Sequence, residues 1–219
     1  MNLTLYAHPF SSYCQKAIIA LYEHGLPFTL KRINDGDAGA EEEFAGRWPM
    51  LHMPLLADGT RDVMEATIII EYLERYRGTA PSLLPGDGDR ALDVRFLDRF
   101  FDNYVMTPMQ RIVYDAIRPP EQHDARGVAD ARALLDRAYA WLDAHMAGRH
   151  WAAGADFTLA DCAAAPSLFY ADWVHPIPAR HAHARAYRAR LLARPSVQRA
   201  VNEARPYRHL FPPGAPERD

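Results

Sequence analysis

The spacing of hydrophobic positions changes twice within the first thirty residues. Residues 3–6, Leu-Thr-Leu-Tyr, alternate with a period of two, which predicts a strand. Between residues 14 and 22 the apolar positions recur every three or four residues, which predicts a helix. Gly25 and Pro27 end that helix, and residues 28–32 have the pattern of a second strand. The chain is therefore predicted to open with a βαβ unit.

The following residues predict a short helix, a hairpin and a closing helix. The short helix follows the acidic residues 41–43, and the hairpin strands lie at 53–56 and 63–64, on either side of an Asp-Gly turn. A stripe with i, i+3, i+4, i+7 spacing then predicts a helix that ends near residue 77, formed by Ala66, Ile69, Ile70 and Leu73. Residues 1–77 are thus predicted to fold as an α/β domain with the order βαβαββα.

The rest of the chain predicts helices only. Residues 78–89 are rich in Pro, Gly and Asp, which is typical of a linker. Beyond them, residues 92–117 predict a long helix interrupted at Pro108, and residues 128–146 carry a cleaner amphipathic stripe. We therefore expect a second, all-α domain over residues 90–219.

Charge and composition exclude several classes of partner. The formal net charge of the 219 residues is -3, with acids and bases interspersed, so nothing indicates a nucleic-acid binder. We expect no membrane segment and no export signal, because the first residues lack a basic start and no run approaches about 18 apolar residues. The two cysteines, Cys14 and Cys162, lie inside apolar helical patterns, which favours a reducing cytoplasm over a disulfide framework.

Four motifs, in order along the chain, resemble those of one enzyme family. They are SSYCQKAIIAL at 11–21, WPMLHMPLL at 48–56, MEA at 64–66 and FTLAD at 157–161. Together they resemble the cytosolic glutathione transferases, most closely the serine types such as the zeta class and their bacterial relatives. The resemblance implies a thioredoxin-like N-terminal domain that holds glutathione as co-substrate. It also implies conjugation of glutathione to a small apolar electrophile, or isomerisation through it.

The first motif places serine at a helix start. A serine there lies beside unpaired N–H groups and the positive end of the helix dipole, which favour an anion. A thiol titrates near about 8.5, and a helix N-terminus lowers that pKa to about 7 or below. The resemblance implies that Ser11 donates a hydrogen bond to the glutathione sulfur. Two alternatives stay open: Ser12 has this role, or either serine only caps the helix.

Cys14 follows Ser11 by three residues, the spacing of the two cysteines in thioredoxin-like redox proteins. Because serine cannot replace the attacking thiolate, dithiol exchange is not available. Cys14 also falls on the apolar stripe of its helix, so we predict a buried core residue, as for Cys162. Glutathione-dependent reduction through Cys14 is the alternative.

The resemblance implies how the second and third motifs hold glutathione. Pro54 corresponds to a cis-proline, with the backbone of Met53 pairing with the cysteinyl part of the ligand as an added strand would. His52 either meets the glycyl carboxylate or is merely solvated. Glu65 pairs with the γ-glutamyl ammonium, although an acid in a first helical turn is also favourable by itself. Ala66 replaces the family's serine or threonine, which leaves only a backbone N–H for the γ-glutamyl carboxylate.

The remaining candidates concern the second substrate and the helical domain. We expect the electrophile to lie against Phe10, Tyr104 and Tyr114. Thr158 and Asp161 have the spacing of a capping box and are predicted to be structural. No metal site is predicted, because no cysteine or carboxylate spacing supports the histidines at 175, 181 and 183.

The predicted helix from Glu65 to Arg75 and the long helix after Asp89 each carry more apolar residues than one core stripe needs. The surplus residues are Tyr72, Tyr76, Phe96 and Phe100. Together with the resemblance, this surplus predicts a homodimer. A non-catalytic binding or scaffold protein with the same fold is the alternative function, and Ala66 is the feature that favours it.

Overall fold

The computed structural model describes residues 2–219, so that Met1 lies outside the described part. Four strands form one sheet in the order β2-β1-β3-β4, in which β1 and β2 are parallel and the other pairs are antiparallel. Strands and helices follow one another along the chain in the order βαβαββα, which confirms the prediction. The elements are β1 Leu3–Ala7, α1 Ser12–Glu23, β2 Thr29–Arg32, α2 Ala38–Arg47, β3 Leu55–Asp58, β4 Arg61–Met64 and α3 Ala66–Leu73.

The alternation of β1 assigns its side chains to the two faces of the sheet. Leu3 and Leu5 are buried in the larger core, which α1 and α3 share with the C-terminal helices. Tyr6 points to the opposite face, where its ring stacks on Phe44 of α2 at a centroid distance of 6.2 Å. The sheet is therefore covered by helices on both faces.

The second half of the chain is helical, as predicted. A connection without a long helix runs from the end of α3 to α4, which begins at Gly88, near the predicted end of the linker. α1 packs against α7 and α9, so the helical part lies directly on the helix that follows β1. The helices are α4 Gly88–Phe100, α5 Thr107–Asp115, α6 Ala125–Met146, α7 Leu159–Val174, α8 Ala182–Leu192 and α9 Pro195–Ala204.

A π-helical segment, Phe101–Met106, joins α4 to α5 where the sequence predicts an interruption. Pro108 has no N–H to donate to the carbonyl of residue 104, and its ring would collide with that carbonyl in a regular helix. The wider turn relieves this conflict, and Thr107 Oγ1 donates a hydrogen bond of 2.9 Å to the carbonyl of Asp102. Segments of this kind often lie at functional sites, and Asp102 and Asn103 of this one line one of the two cavities described below.

Three of the four aromatic residues predicted as surplus are used within the chain. Tyr72 and Phe100 are buried, and the hydroxyls of Tyr72 and Tyr76 both donate to Asp58. Phe96 alone of the four is half exposed, at 52%. The sequence therefore overstated the unpartnered aromatic surface, because periodicity does not reveal that a helix is covered by its own chain on two sides.

The capping box is confirmed at the start of α7. The Thr158 N–H donates to Asp161 Oδ2 at 2.9 Å, and the Tyr187 hydroxyl donates to Asp161 Oδ1 at 2.6 Å. Asp161 is fully buried, and burial raises the pKa of its carboxyl.

Within residues 2–219, no helix is both long enough and apolar enough to cross a membrane.

Candidate functional site

The N-terminus of α1 presents the two candidate serines. Ser11 is the N-cap residue, and its N–H donates to the carbonyl of His8 at 3.0 Å. Its hydroxyl makes no capping hydrogen bond to the helix backbone. Ser12 is the first helical residue and is buried. The first turn of α1 contains no acidic side chain, so no negative charge in that turn offsets the positive end of the helix dipole.

Cys14 is a core residue, as predicted. It is fully buried, and burial raises the pKa of its thiol to about 11, although the neighbouring Ser11 side chain opposes this shift. Cys162 is also fully buried, and burial raises the pKa of its thiol well above the ordinary value. Neither sulfur forms a disulfide, so both are inert thiols in the folded chain.

A first cavity, which we call the polar cavity, collects the predicted glutathione-binding residues. The Met53–Pro54 peptide bond is cis, and β3 begins directly after it at Leu55. The polar cavity has a volume of about 230 Å³. The predicted residues that line it are His52, Met53, Pro54, Glu65 and Ala66, and four further residues line it, namely Tyr13, Arg99, Asp102 and Asn103.

Glu65 is held in an unusual conformation at the edge of the polar cavity. Its φ of 69° lies on the left-handed side, which residues with a Cβ rarely adopt. It is the N-cap residue of α3, but its carboxylate makes no capping hydrogen bond and is exposed. Ala66 follows as the first residue of α3 and is buried. The carboxylate of Glu65 is therefore available to a ligand.

A second cavity, the apolar cavity, lies beside the first and shares Met53 with it. Its volume is about 270 Å³. Two of the three residues predicted to contact an electrophile, Phe10 and Tyr114, line it together with both serines. The other lining residues are Met109, Gln110, Val113, Tyr170, Leu210, Phe211 and Pro212. The serines thus lie in the wall of the apolar cavity, next to the residue that both cavities share.

Tyr104 does not line either of these cavities. Its ring packs at 5.7 Å from the ring of Phe100, and 47% of its surface is exposed. Tyr104 lies in the π-helical segment, where the wider turn changes the direction of successive side chains relative to a regular helix. Tyr104 is therefore not part of the cavity that Phe10 and Tyr114 line.

A cluster of buried charges, which the sequence did not reveal, lies behind the polar cavity. Lys16 of α1 is fully buried, and its Nζ lies 2.5 Å from Asp98 Oδ1 and 2.8 Å from Asp102 Oδ2. Thr67 Oγ1 accepts from Lys16 at 2.9 Å and donates to Asp98 at 3.0 Å. Arg99 completes this buried charge cluster, with Nη2 at 2.5 Å from Asp102. Burial raises the pKa of Asp102, and the charge of Lys16 opposes the shift.

Sequence reasoning also missed a hydrogen-bond chain that holds the loop before Ser11. The Tyr170 hydroxyl donates to the Phe10 carbonyl at 2.8 Å and accepts from Gln15 Nε2 at 3.1 Å. Gln15 also donates to the Pro9 carbonyl at 3.0 Å. The only signal in the sequence was a tyrosine and a glutamine at apolar positions of two helices, since such buried groups need partners.

Comparison with known proteins gives the family. Residues 5–81 match the model of the glutathione S-transferase N-terminal domain, and residues 120–190 match that of the glutathione S-transferase C-terminal domain. Together these two ranges cover more than half of the chain. The chain belongs to the glutathione S-transferase family.

Individual relatives agree with this result. The transferase is 26% identical over 172 residues to glutathione S-transferase GstB of Escherichia coli K12, across 76% of this chain and 82% of that protein. It is also 26% identical over 167 residues to the stringent starvation protein A homolog of Coxiella burnetii, across 76% and 75%. A solved glutathione S-transferase of Methylobacterium radiotolerans in complex with glutathione sulfonate is similar, with a TM-score of 0.78, 29% identity and coverage of 92% and 95%.

No set of three or more His, Cys, Asp or Glu residues suited to hold a metal ion occurs in the described part of the transferase. His175 instead lies with Nε2 at 2.8 Å from Asp136 Oδ1, and His181 lies 3.9 Å from Asp143. Both histidines therefore have single acidic neighbours.

Proposed function

We propose that this protein is a serine-type glutathione transferase that binds glutathione in the polar cavity and joins it to a small apolar electrophile held in the apolar cavity. The observation that carries the proposal is the position of Ser11 and Ser12. They lie at the N-terminus of α1 and in the wall of the apolar cavity, which meets the polar cavity at Met53. The sulfur atom of a glutathione molecule bound near Met53 would therefore lie where the polar cavity meets the apolar cavity.

In this proposal the helix N-terminus and a serine hydroxyl stabilise the thiolate of glutathione. The thiol releases its proton to solvent, and the Ser11 hydroxyl donates a hydrogen bond to the sulfur anion. The thiolate then attacks the electrophilic carbon, a sulfur–carbon bond forms, and the leaving group departs with the electron pair of its bond. Cys14 takes no part, because its thiol is fully buried and has a raised pKa.

The polar cavity supplies partners for the rest of glutathione. The cis peptide before Pro54 supports main-chain pairing between Met53 and the cysteinyl residue. The exposed carboxylate of Glu65 would pair with the γ-glutamyl ammonium, and His52, which lines the same cavity, would face the glycyl carboxylate. The relative from Methylobacterium radiotolerans, solved with glutathione sulfonate, supports this choice of ligand.

A glutathione titration followed by tryptophan fluorescence tests the proposal. The ring of Trp173 lies 6.4 Å from that of Phe10, the residue before Ser11, so binding of the glutathione sulfur beside Ser11 should change the emission of Trp173. We expect saturable binding, and thioether formation when an activated apolar electrophile is added. Absence of glutathione binding by the folded protein would refute the proposal.

We further propose that the protein is a homodimer in the cytoplasm. Exposed apolar residues support an interface on α3 and α4: Ile68 is 52% exposed, Leu92 65% and Phe96 52%. The two unpaired thiols agree with a reducing compartment. Light scattering should give twice the chain mass of 24.8 kDa, and Phe96→Asp should shift the protein toward the monomer. A stable wild-type monomer would contradict the dimer.

A non-catalytic binding or scaffold protein is the second candidate. Two observations favour it: Ala66 offers no side-chain donor at the first position of α3, and one relative carries the name stringent starvation protein A homolog and not that of a transferase. The fluorescence titration, repeated with an electrophile, separates the candidates, because a binding protein would saturate with glutathione without forming a thioether.

A further inference from the structure

The first turn of α3 borders the part of the polar cavity where an amino-acid head group would bind. Such a head group carries an ammonium and a carboxylate on one carbon. Glu65 can accept from the ammonium, but the methyl group of Ala66 cannot donate to the carboxylate. One backbone N–H group at the start of a short helix would then have to compensate a full negative charge.

Arg99 of α4 brings a permanent positive charge to this place. It lines the polar cavity together with Glu65 and Ala66. Its Nη2 donates to Thr67 Oγ1 at 2.5 Å, and Thr67 is the residue after Ala66. The guanidinium group therefore lies against the first turn of α3, beside the residue that lacks a donor.

The buried charge cluster holds this guanidinium in place. Arg99 Nε and Nη2 both donate to Asp98 Oδ2, at 3.0 and 2.6 Å, and Nη2 also donates to Asp102 Oδ2 at 2.5 Å. These hydrogen bonds use Nε and Nη2 but not Nη1. Half of the Arg99 side chain is exposed, whereas Asp98 and Asp102 are almost fully buried.

The charges of the buried charge cluster do not oppose an anion. Lys16 and Arg99 carry two positive charges, and Asp98 and Asp102 carry two negative charges, so the cluster is formally neutral. The two carboxylates lie on the buried side of the guanidinium. A ligand carboxylate on the exposed side would meet a planar donor whose orientation is already fixed.

We propose that Arg99 binds the α-carboxylate of the γ-glutamyl residue of glutathione and so replaces the donor that Ala66 lacks; this inference rests on the proposed glutathione site. Glu65 and Arg99 would then recognise the ammonium and the carboxylate of the same amino-acid head group from two different helices. The protein would select thiols that carry a free α-amino acid at this end.

Two analogues of glutathione test this assignment. γ-Aminobutyryl-cysteinyl-glycine lacks the α-carboxylate, and glutaryl-cysteinyl-glycine keeps that carboxylate but lacks the ammonium. Arg99→Gln should weaken binding of glutathione and of the glutaryl analogue by about 10- to 100-fold, the range for a hydrogen bond between charged groups. Binding of the γ-aminobutyryl analogue should change by no more than about twofold, because it has no group for Arg99 to bind.

Arg95→Gln is the matched control. Arg95 lies one turn earlier on α4 and makes a bidentate pair with Glu71, at 2.9 Å for both bonds. The Arg95→Gln variant should leave the affinities for all three ligands unchanged. If Arg99→Gln does not fold, Arg99→Lys keeps a positive charge against Asp98 and Asp102. It should lower the preference for glutathione over the γ-aminobutyryl analogue several-fold.

The outcomes separate this inference from the proposed function. A wild-type protein that binds none of the three ligands would refute both. A wild-type protein that binds glutathione, combined with an Arg99→Gln variant that weakens all three ligands equally or none of them, would overturn the role of Arg99 alone. An unchanged preference in Arg99→Lys would overturn it as well.

Discussion

Lys16 Nζ lies 2.5 Å from Asp98 Oδ1, and both side chains are almost completely buried. Lys16 belongs to α1, which carries the candidate serines at its N-terminus, and Asp98 belongs to α4, which reaches the polar cavity. The ion pair therefore connects the helix that would ionise the thiol to the helix that would hold the γ-glutamyl group. Hydrogen bonds between charged groups depend on direction, whereas apolar contacts do not, so the ion pair fixes the relative position of the two helices more specifically than an apolar core would.

Removal of the Lys16 charge should destabilise the protein strongly. Lys16→Met leaves two buried carboxylates with only Arg99 and Thr67 as partners, and a broken buried pair typically costs about 3–5 kcal/mol of unfolding free energy. Denaturant unfolding measures this loss. Lys31→Met is the control, because the side chains of Lys31 and its partner Glu43 are 37% and 35% exposed, so that solvent screens the pair and its loss should matter less. A similar small effect for both variants would contradict a structural role of the buried pair.

Much of the fold could be predicted from periodicity, whereas the buried charge cluster could not. Leu3 and Leu5 alternate in the way of a strand, and the stripe of α3 is unambiguous, so the order of elements followed. Lys16 and Asp98 look like ordinary surface positions, because a sequence does not show that two helices cover each other. The two acidic partners of Lys16, Asp98 and Asp102, lie more than eighty residues away, beyond any local pattern.

The candidate site was predicted in part. The candidate residues on the loops that enter α1, β3 and α3 were named from the sequence, because they belong to short contiguous motifs that carry the family resemblance. Arg99, Asp102 and Tyr170 were not found, because they meet the site only through the packing of separate helices. Tyr104 was predicted to contact the electrophile, but it lies in the π-helical segment and lines neither cavity.

Ser11→Ala should raise the apparent pKa of enzyme-bound glutathione and leave its affinity nearly unchanged. Loss of a hydrogen bond to a charged sulfur costs about 1.5–3 kcal/mol, which corresponds to about one to two pH units. The pH dependence of kcat/KM for thioether formation gives this value. Ser12→Ala is the matched variant, since Ser12 lines the same cavity. A shift in Ser12→Ala but not in Ser11→Ala would transfer the role to Ser12.

Both cysteines should resist alkylation in the folded protein. Burial raises the pKa of the Cys14 thiol to about 11, so near pH 8 only about one part in a thousand is thiolate, and reagents cannot reach it. Iodoacetamide labelling followed by mass spectrometry should show slow modification of the native protein and rapid modification of two thiols in denaturant. Rapid native labelling of Cys14 would revive its role in reduction.

Stability should fall as the pH drops below the ordinary histidine range. His8 is buried, its Nδ1 accepts from the Phe10 N–H at 3.1 Å, and burial lowers its pKa below 6.5. Burial lowers the pKa of His24 and His145 in the same direction. The unfolded chain then binds protons first, so unfolding free energy is lost as the pH falls from about 6.5 through the lower folded values.

Denaturant unfolding at about pH 7.5 and about pH 5.5 checks this dependence. His8→Asn is the matched variant, because an asparagine oxygen can still accept from the Phe10 N–H but does not titrate. It should reduce the difference between the two conditions. Equal stability of the wild-type protein at both values would show that none of these histidines is held in its neutral form.

The backbone of Glu65 also has a consequence for evolution and for protein engineering. A residue with a Cβ at a φ of 69° costs about 1–3 kcal/mol, a penalty that glycine would not have. Selection for thermal tolerance alone would therefore favour glycine at this position and would remove the exposed carboxylate at the edge of the polar cavity. In the proposed site, the acid at this position would therefore serve the bound ligand at the expense of stability.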